Sequence, residues 1–423
     1  MSGTGEELSH NRRIIHAAGV VDATGTAACP GAMLVEGGHV RAAGPPEQIG
    51  YVADAEVVHM PKMLLLPGLV NAHAHLDLSG DGVWPAAGDD FRGWVGQVRA
   101  LRADQTPASC EHAVRRGIDL ALAGGTSCIG DIAGHSPALT AQALRESPLR
   151  GVCFEEIFGL GDRQADAIAR MRHLAADGPL DAQGIRTGLS PHAPYSCGAD
   201  VFEAAAALGR PLTTHLAETP AEIELSKSGT GALRDMLEHD IGVWNDSVSV
   251  PHAHPIEALI DSLDHGRFLC AHLNWIDPHH VQMLAQSEVR VVYCPRASAA
   301  FGHCPPELNP HPWQGLHEAG VTVCLGTDSL LCLDTPDRLS VLDDMRLLFR
   351  RDGVDGRLLL AMATTHGASA LDLGHDLVSF GPEIAGVLAC RAEGNTVDAL
   401  LADVLGRDDP PQWVVGGGAA EGP

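Results

Sequence analysis

Eight short apolar runs recur through the middle of the chain, each ending in polar or glycine-containing residues and each followed by a stretch of helical character. They are "LLLPGLVNAHAH" (64–75), "GTSCIGDI" (125–132), "GVCFEEIFG" (151–159) and "GIRTGLSPHAP" (184–194), then "RPLTTHLAET" (210–219), "RFLCAHLNW" (267–275), "VRVVYCPRAS" (289–298) and "VTVCLGTDS" (321–329). Between them lie amphipathic segments such as "RQADAIARMRHLAADG" and "PHHVQMLAQS". Strands alternating with helices form parallel βαβ units. Strands that are apolar almost throughout are covered on both faces. Eight such units predict an α/β fold, a (β/α)₈ TIM barrel over residues 61–375.

The ends break this rhythm. Residues 12–60 hold short alternating pieces such as "AAGVVDATG" and "AMLVEGGHVRAAG", and the tail holds "AGVLACRA" and "PQWVVGG". These read as short strands between turns. The expected division is therefore 1–60 and 376–423 as two parts of one small β-sandwich module, flanking the barrel.

Composition narrows the class of partner. The formal charge of −26 over 423 residues argues against nucleic acid or an anionic membrane, both of which need clustered cations. The apolar runs are too short and too interrupted to span a bilayer. The opening "MSGTGEELSHNRR" has acid before base and no apolar stretch, so no secretory signal is expected there. The 11 cysteines are scattered without a CxxC pair, which fits reduced thiols in the cytoplasm. No surface stripe singles out an oligomer interface, although a homo-oligomer is common for such folds.

In a barrel the chemistry sits at the C-terminal strand ends. The polar residues there are His73 and His75 after the first run, His192 after the fourth, His215 after the fifth with Glu218 just beyond, His272 after the sixth, Arg296 near the seventh and Asp328 after the eighth. Residues two apart on a strand share a face, so His73 and His75 can both aim into the barrel mouth. His215 and Asp328 could complete a site with one position left for water. Imidazoles with one carboxylate suit a borderline divalent ion, Zn²⁺ or Fe²⁺, and suit Ca²⁺ poorly. With 23 histidines in the chain, no single one is informative. His215 alone could be a packed histidine, and Asp328 alone could cap the helix before "SLLCLD". The metal reading rests on all of them falling at strand ends of one barrel.

The segments "PGLVNAHAHLDLS", "THLAET", "CAHLNW" and "LGTDSL", in this order, resemble the amidohydrolase superfamily. More closely they resemble its mononuclear deaminase branch, which holds adenosine, S-adenosylhomocysteine, aminodeoxyfutalosine and cytosine deaminases and some s-triazine hydrolases. The likeness runs from residue 12 to about 375. It implies that His73, His75, His215 and Asp328 bind the metal, that Glu218 handles protons and that His272 contacts the attacking water; Asp328 could also accept that oxygen's proton. It also implies that His192, in "LSPHAPYSC", contacts the substrate.

Lysine separates two branches of that superfamily. Binuclear members bridge two metals with a carboxylated lysine, and here lysine occurs only at Lys62 and Lys227, outside the interval from His75 to His215. Glu155 or Glu156 remains available as a bridge, but one metal per chain is the expectation. "VVYCPRASAAFGH" departs from the branch's common CP-x-S-N pattern. Arg296 and His303 could there bind a substrate carboxylate or hydroxyl, or Arg296 could pair with a neighbouring acid. Trp84 and Phe301 could stack on a ring.

The expected activity is hydrolytic removal of the 6-amino group of an adenine nucleoside such as aminodeoxyfutalosine. The alternatives are hydrolysis of another ring (guanine, cytosine, a chlorinated s-triazine or an imidazolone) and a non-catalytic structural relative.

Overall fold

The computed structural model describes residues 12–81, 91–176, 184–303 and 310–417. The chain opens with β1 (Arg12–Val21), β2 (Ala27–Ala28), β3 (Gly31–Glu36), β4 (His39–Gly44) and β5 (Glu56–Pro67). Eight strands follow: β6 (Leu69–Ala74), β7 (Thr126–Ala133), β8 (Arg150–Ile157), β9 (Ile185–Pro191), β10 (Thr213–Leu216), β11 (Leu269–His272), β12 (Arg290–Tyr293) and β13 (Val323–Leu325). The last two are β14 (Gly386–Arg391) and β15 (Gln412–Gly416).

Strands β6 to β13 coincide one for one with the eight apolar runs. They pair in sequence order and in parallel, as two four-stranded segments. Two narrow bridges close the ring. β9 reaches β10 at Leu189 and Leu212, and the His215 amide donates to the His192 carbonyl at 2.9 Å. β13 returns to β6 at Ala74 and Asp328. The second closure depends on Gly326. A Cβ there would lie 2.8 Å from His73 Cβ and 2.9 Å from the His73 carbonyl oxygen. That same oxygen accepts from the amides of Thr327 (3.1 Å) and Asp328 (3.0 Å). The close approach that fixes His73 beside Asp328 is open only to glycine.

The strands are buried along nearly their whole length, as helices on the outside require. Phe154, Leu269, Val292 and Cys324, from four strands, share one buried cluster. Helix Pro255–His265 packs Ile256, Leu259 and Leu263 into another, with Leu216 and Cys270.

Strands from both termini lie in one sheet, in the order β15-β14-β5-β1-β3-β4, with β2 on β1. The expected β-sandwich is thus, among the described residues, one seven-stranded sheet rather than two stacked ones. The reason is β5, which pairs in parallel with β1 on one side and antiparallel with β14 on the other. β5 also runs past residue 60 and leads through Gly68 directly into β6. "AGVLACRAEGNTVDALL" provides strand β14 and then helix Val397–Gly406.

Candidate active site at the barrel mouth

His73 ends β6 and His75 follows it. The two rings meet edge to face, with centroids 5.1 Å apart. The ring of His73 also stands 5.0 Å from that of His215 and 5.4 Å from that of His272. His75 Nε2 lies 3.4 Å from His215 Nε2 and 3.6 Å from Asp328 Oδ1. All five residues are buried. The backbone leaves regular strand geometry at these ends: φ is +76° at His272 and +60° at Asp328. Such values are uncommon outside glycine and cluster where side chains are aimed for function.

Hydrogen bonding fixes what the nitrogens can do. His215 Nδ1 lies 2.8 Å from the His192 carbonyl oxygen. A carbonyl only accepts, so Nδ1 carries the proton and Nε2 presents a lone pair to His75. Both ring nitrogens of His73, and Nδ1 of His75, are buried with no hydrogen-bond partner in the structure. Orphaned buried polar atoms are costly and call for a partner. A proton between His75 and His215 would satisfy that pair and leave His73 stranded. A divalent cation would take one nitrogen from each of the three imidazoles together with the carboxylate, His73 included. His73, His75 and Asp328 form one group with ligand atoms mutually within 4.8 Å, and His73, His215 and His272 form another. Burial lowers the basicity of the His73 and His75 imidazoles, and neighbouring histidines add to it. They therefore stand neutral, as metal ligands must. The donor set fits one ion of the zinc or ferrous type.

Glu218 sits three residues beyond His215, its Oε1 3.8 Å from His272 Nε2. Burial pushes its carboxyl well above the usual carboxylate range, and Asp328 and Glu222 add to the rise. Its backbone is clamped. Glu222 accepts from the Ala217 and Glu218 amides, each at 2.9 Å. Asn274 Nδ2 donates to the Glu218 carbonyl at 3.1 Å. Thr219 caps the following helix, Pro220–Ser228, with proline at its first position, a strong start signal.

His75, His215, Glu218, His272 and Asp328 line a cavity of about 480 Å³, a volume usual for small-molecule sites. His192 lines it, and Phe158, 52% exposed, lies against His192 at a 32° tilt with ring centroids 4.7 Å apart. Helix Phe91–Asp104 covers one side and has no fully buried residue. Phe91, Trp94, Val98 and Arg102 present one helical face to the cavity. Phe301 also lines it, packed against Trp94.

Two expectations for substrate contacts turn out otherwise, and a third falls on residues that are not described. Arg296 does not reach the cavity. The strand β12 stops at Tyr293 and the chain turns into helix Pro295–Ala300. Arg296 is there held by Asp344 (3.1 Å), Thr335 Oγ1 (2.9 Å) and the Ser340 carbonyl (3.0 Å). The neighbouring-acid alternative is the one realised. His303 stacks on Phe301 at 5.7 Å and does not line the cavity. Trp84 lies outside the described residues. Glu155 pairs with Arg170 (2.9 Å), and Glu156 with Arg102 (3.0 Å). Sequence reasoning singled out neither Arg102 nor Glu222: each acts through a partner whose position only the fold reveals.

The Arg296 placement has a consequence for stability. Asp344 is fully buried, and removal of its cation leaves that charge unpaired. Arg296→Met is expected to lower unfolding free energy by about 3 kcal/mol. Activity per folded molecule should stay close to wild type. Chemical denaturation with parallel turnover assays checks both. A stable variant with impaired turnover would return Arg296 to the substrate.

The comparisons with known proteins agree with this geometry. The pattern of the amidohydrolase family matches residues 64–382. An aminodeoxyfutalosine deaminase from Deinococcus radiodurans is 28% identical over 359 residues, spanning 81% of this chain and 82% of the relative. The crystal structure of Helicobacter pylori aminofutalosine deaminase in complex with methylthio-coformycin superposes with a TM-score of 0.79 at 21% identity, over 96% of this chain and 99% of the other. An adenosine deaminase from Xanthomonas campestris, solved with bound zinc, gives 0.67 at 21% identity, over 89% and 84%. With a matched region running from the end of β5 to beyond the barrel, this chain belongs to the amidohydrolase family.

Proposed function

We propose that the protein is a hydrolytic deaminase, dependent on one divalent metal, that replaces the 6-amino group of an adenine nucleoside by oxygen and releases ammonia. Aminodeoxyfutalosine is the leading substrate. The observation that carries the reading is the meeting of His73, His75, His215 and Asp328 with Glu218 and His272 at one cavity, which all of them but His73 line. His73, His75, His215 and Asp328 would hold the ion. A divalent ion there would lower the pKa of water toward about 7 and so supply a nucleophile at neutral pH.

The chain's own residues do the rest. Glu218 takes a proton from water and delivers it to a ring nitrogen, then to the departing amine. A carboxyl whose pKa is raised by burial is suited to both directions. His272 hydrogen-bonds the attacking oxygen, opposite Glu218. His192 contacts the bound substrate. Water and nucleoside go in; the 6-oxo nucleoside and ammonia come out, so atoms balance without a redox partner.

Arg99 and Arg163 line the cavity and supply positive charge there, in place of the Arg296 expected to do so. That supports a substrate with an acidic substituent. The second reading is hydrolysis of a different ring, favoured by the largely apolar wall that Phe91, Trp94 and Val98 present. The proposal extends to a cytoplasmic enzyme without a nucleic-acid partner. The charge of −26 supports this, and no described helix is long and apolar enough to cross a membrane.

The test is ammonia release by metal-loaded protein from aminodeoxyfutalosine, adenosine, 5′-methylthioadenosine, S-adenosylhomocysteine, guanine and cytosine. Release from an adenine nucleoside, abolished by chelation and restored by metal, is the expected result. Silence toward every adenine nucleoside would defeat the reading.

A further inference from the structure

Glu156 ends β8 on the cavity wall and is 4% exposed. Its two carboxylate oxygens have different fates. Oε2 accepts from Arg102 Nη1 at 3.0 Å. Arg102 is anchored in turn on Asp77 through Nε at 3.0 Å, so the carboxylate cannot swing away. Oε1 is buried and has no hydrogen-bond partner. An ion-paired carboxylate with one bare buried oxygen is costly unless a donor arrives.

A second acceptor stands beside it. His192 Nε2 lies 3.7 Å from Glu156 Oε1, too far for a hydrogen bond. His192 Nδ1 lies 2.7 Å from Ser196 Oγ. That hydroxyl spends its own hydrogen on the Ala193 carbonyl at 3.1 Å. Ser196 therefore accepts from Nδ1–H, and Nε2 carries a lone pair. Two acceptors lie side by side on the cavity wall, each locked from behind.

We propose that Glu156 Oε1 and His192 Nε2 together accept the two hydroxyls of a ribose cis-diol, so that the site selects ribonucleosides over deoxynucleosides. The inference rests on the adenine-nucleoside reading above. Such a nucleoside has few donors to offer. Its ring nitrogens are acceptors, and its amino group is engaged at Glu218. The ribose hydroxyls remain, and a vicinal pair of donors matches a pair of acceptors. A carboxylate is the better half of the match, since hydrogen bonds to charged groups are the stronger ones.

The test compares the best nucleoside of the panel with its 2′-deoxy and 3′-deoxy analogues, on wild type and on Glu156→Gln. In the variant Arg102, which can only donate, draws the amide oxygen, and the amide NH₂ then faces the cavity. The acceptor becomes a donor at unchanged shape. Wild type should lose about 30-fold in kcat/KM on removal of the hydroxyl held by Glu156, in the range for a hydrogen bond to a charged group, and about fivefold on removal of the one held by the neutral His192. In Glu156→Gln the ribo substrate should fall by about the larger of these factors, and the ratio to the analogue that discriminates most in wild type should shrink to within about threefold, while the ratio to the other analogue stays as it was. A merely structural Glu156 would lower ribo and deoxy substrates alike and leave the ratio at its wild-type value, which would overturn the proposal. So would a wild type that scarcely discriminates; this outcome needs no folded variant. Metal content and melting temperature of the variant confirm an intact site. Wild type inactive on every nucleoside would sink the deaminase reading, and this inference with it. Activity with undiminished discrimination in the variant would sink this inference alone.

Discussion

Glu218→Gln is expected to keep about one metal ion per chain and to lose about 10³-fold in kcat, within the range for removal of a positioned acid–base group. The expectation follows from how the carboxyl is held. Glu218 lies beyond the histidine–aspartate cluster and is not among its grouped atoms, so that cluster survives its replacement. Its backbone is fixed by Glu222 and Asn274, so glutamine occupies the same place. What disappears is the ability to take a proton and give it back. Burial first, then the charges of Asp328 and Glu222, raise the Glu218 pKa, which holds a proton available near neutral pH. Glutamine cannot titrate at all. KM should change little, because the amide keeps the shape and much of the hydrogen bonding. Metal analysis and steady-state turnover of the same preparation decide it. Wild-type turnover in Glu218→Gln would remove Glu218 from proton transfer. Loss of metal instead would make it a ligand.

The barrel was legible because its strands are short, buried on both faces and separated by helical segments. Those three properties come from local composition, and all eight apolar runs became strands. Their lengths were less legible. "RFLCAHLNW" yields only Leu269–His272, because the chain adopts positive φ at His272 and Leu273. That twist is also what aims His272 at Glu218. The seventh run misled for a related reason. "VRVVYCPRAS" reads as one strand with Arg296 at its end. Pro295, however, opens a helix, and Asp344, distant in sequence but adjacent in the fold, claims the guanidinium. A helix-initiating proline was the available signal.

The clustered histidines were legible for a different reason. A cluster at the barrel mouth draws on several strand ends, so each member could be placed by the fold class before any contact was known. Residues that act through a single partner offer no such check. Arg102 reaches Asp77 and Glu156 from a helix laid over the cavity, and Glu222 returns to the turn that precedes its own helix. The scarcity of lysine was the most economical clue. It removed the usual bridge to a second metal from sequence alone. Of the two glutamates that remained, Glu155 is tied to Arg170, and Glu156 gives one oxygen to Arg102 and keeps the other without a hydrogen-bond partner.

His73→Ala is expected to reduce bound metal from about one ion per chain to less than about a tenth and to abolish turnover. Both nitrogens of His73 lack any hydrogen-bond partner, and its ring touches those of His75, His215 and His272. It is the member of the cluster with the most to gain from an ion. Stability gives an independent readout. An ion that binds the folded state alone, at about 100 times its dissociation constant, stabilises by about 2.7 kcal/mol. Chelation should therefore lower the melting temperature of wild type, and metal should restore it. His73→Ala should melt near the chelated wild type and respond to neither treatment. It deletes two buried nitrogens that, without an ion, have no hydrogen-bond partner, so it carries no comparable penalty of its own beyond the small cavity left by the ring. The paired measurement separates metal loss from misfolding. A variant that still holds an ion and still melts higher with it would show that His75, His215 and Asp328 suffice without His73. The cluster around His73 would then need another explanation for its unsatisfied nitrogens.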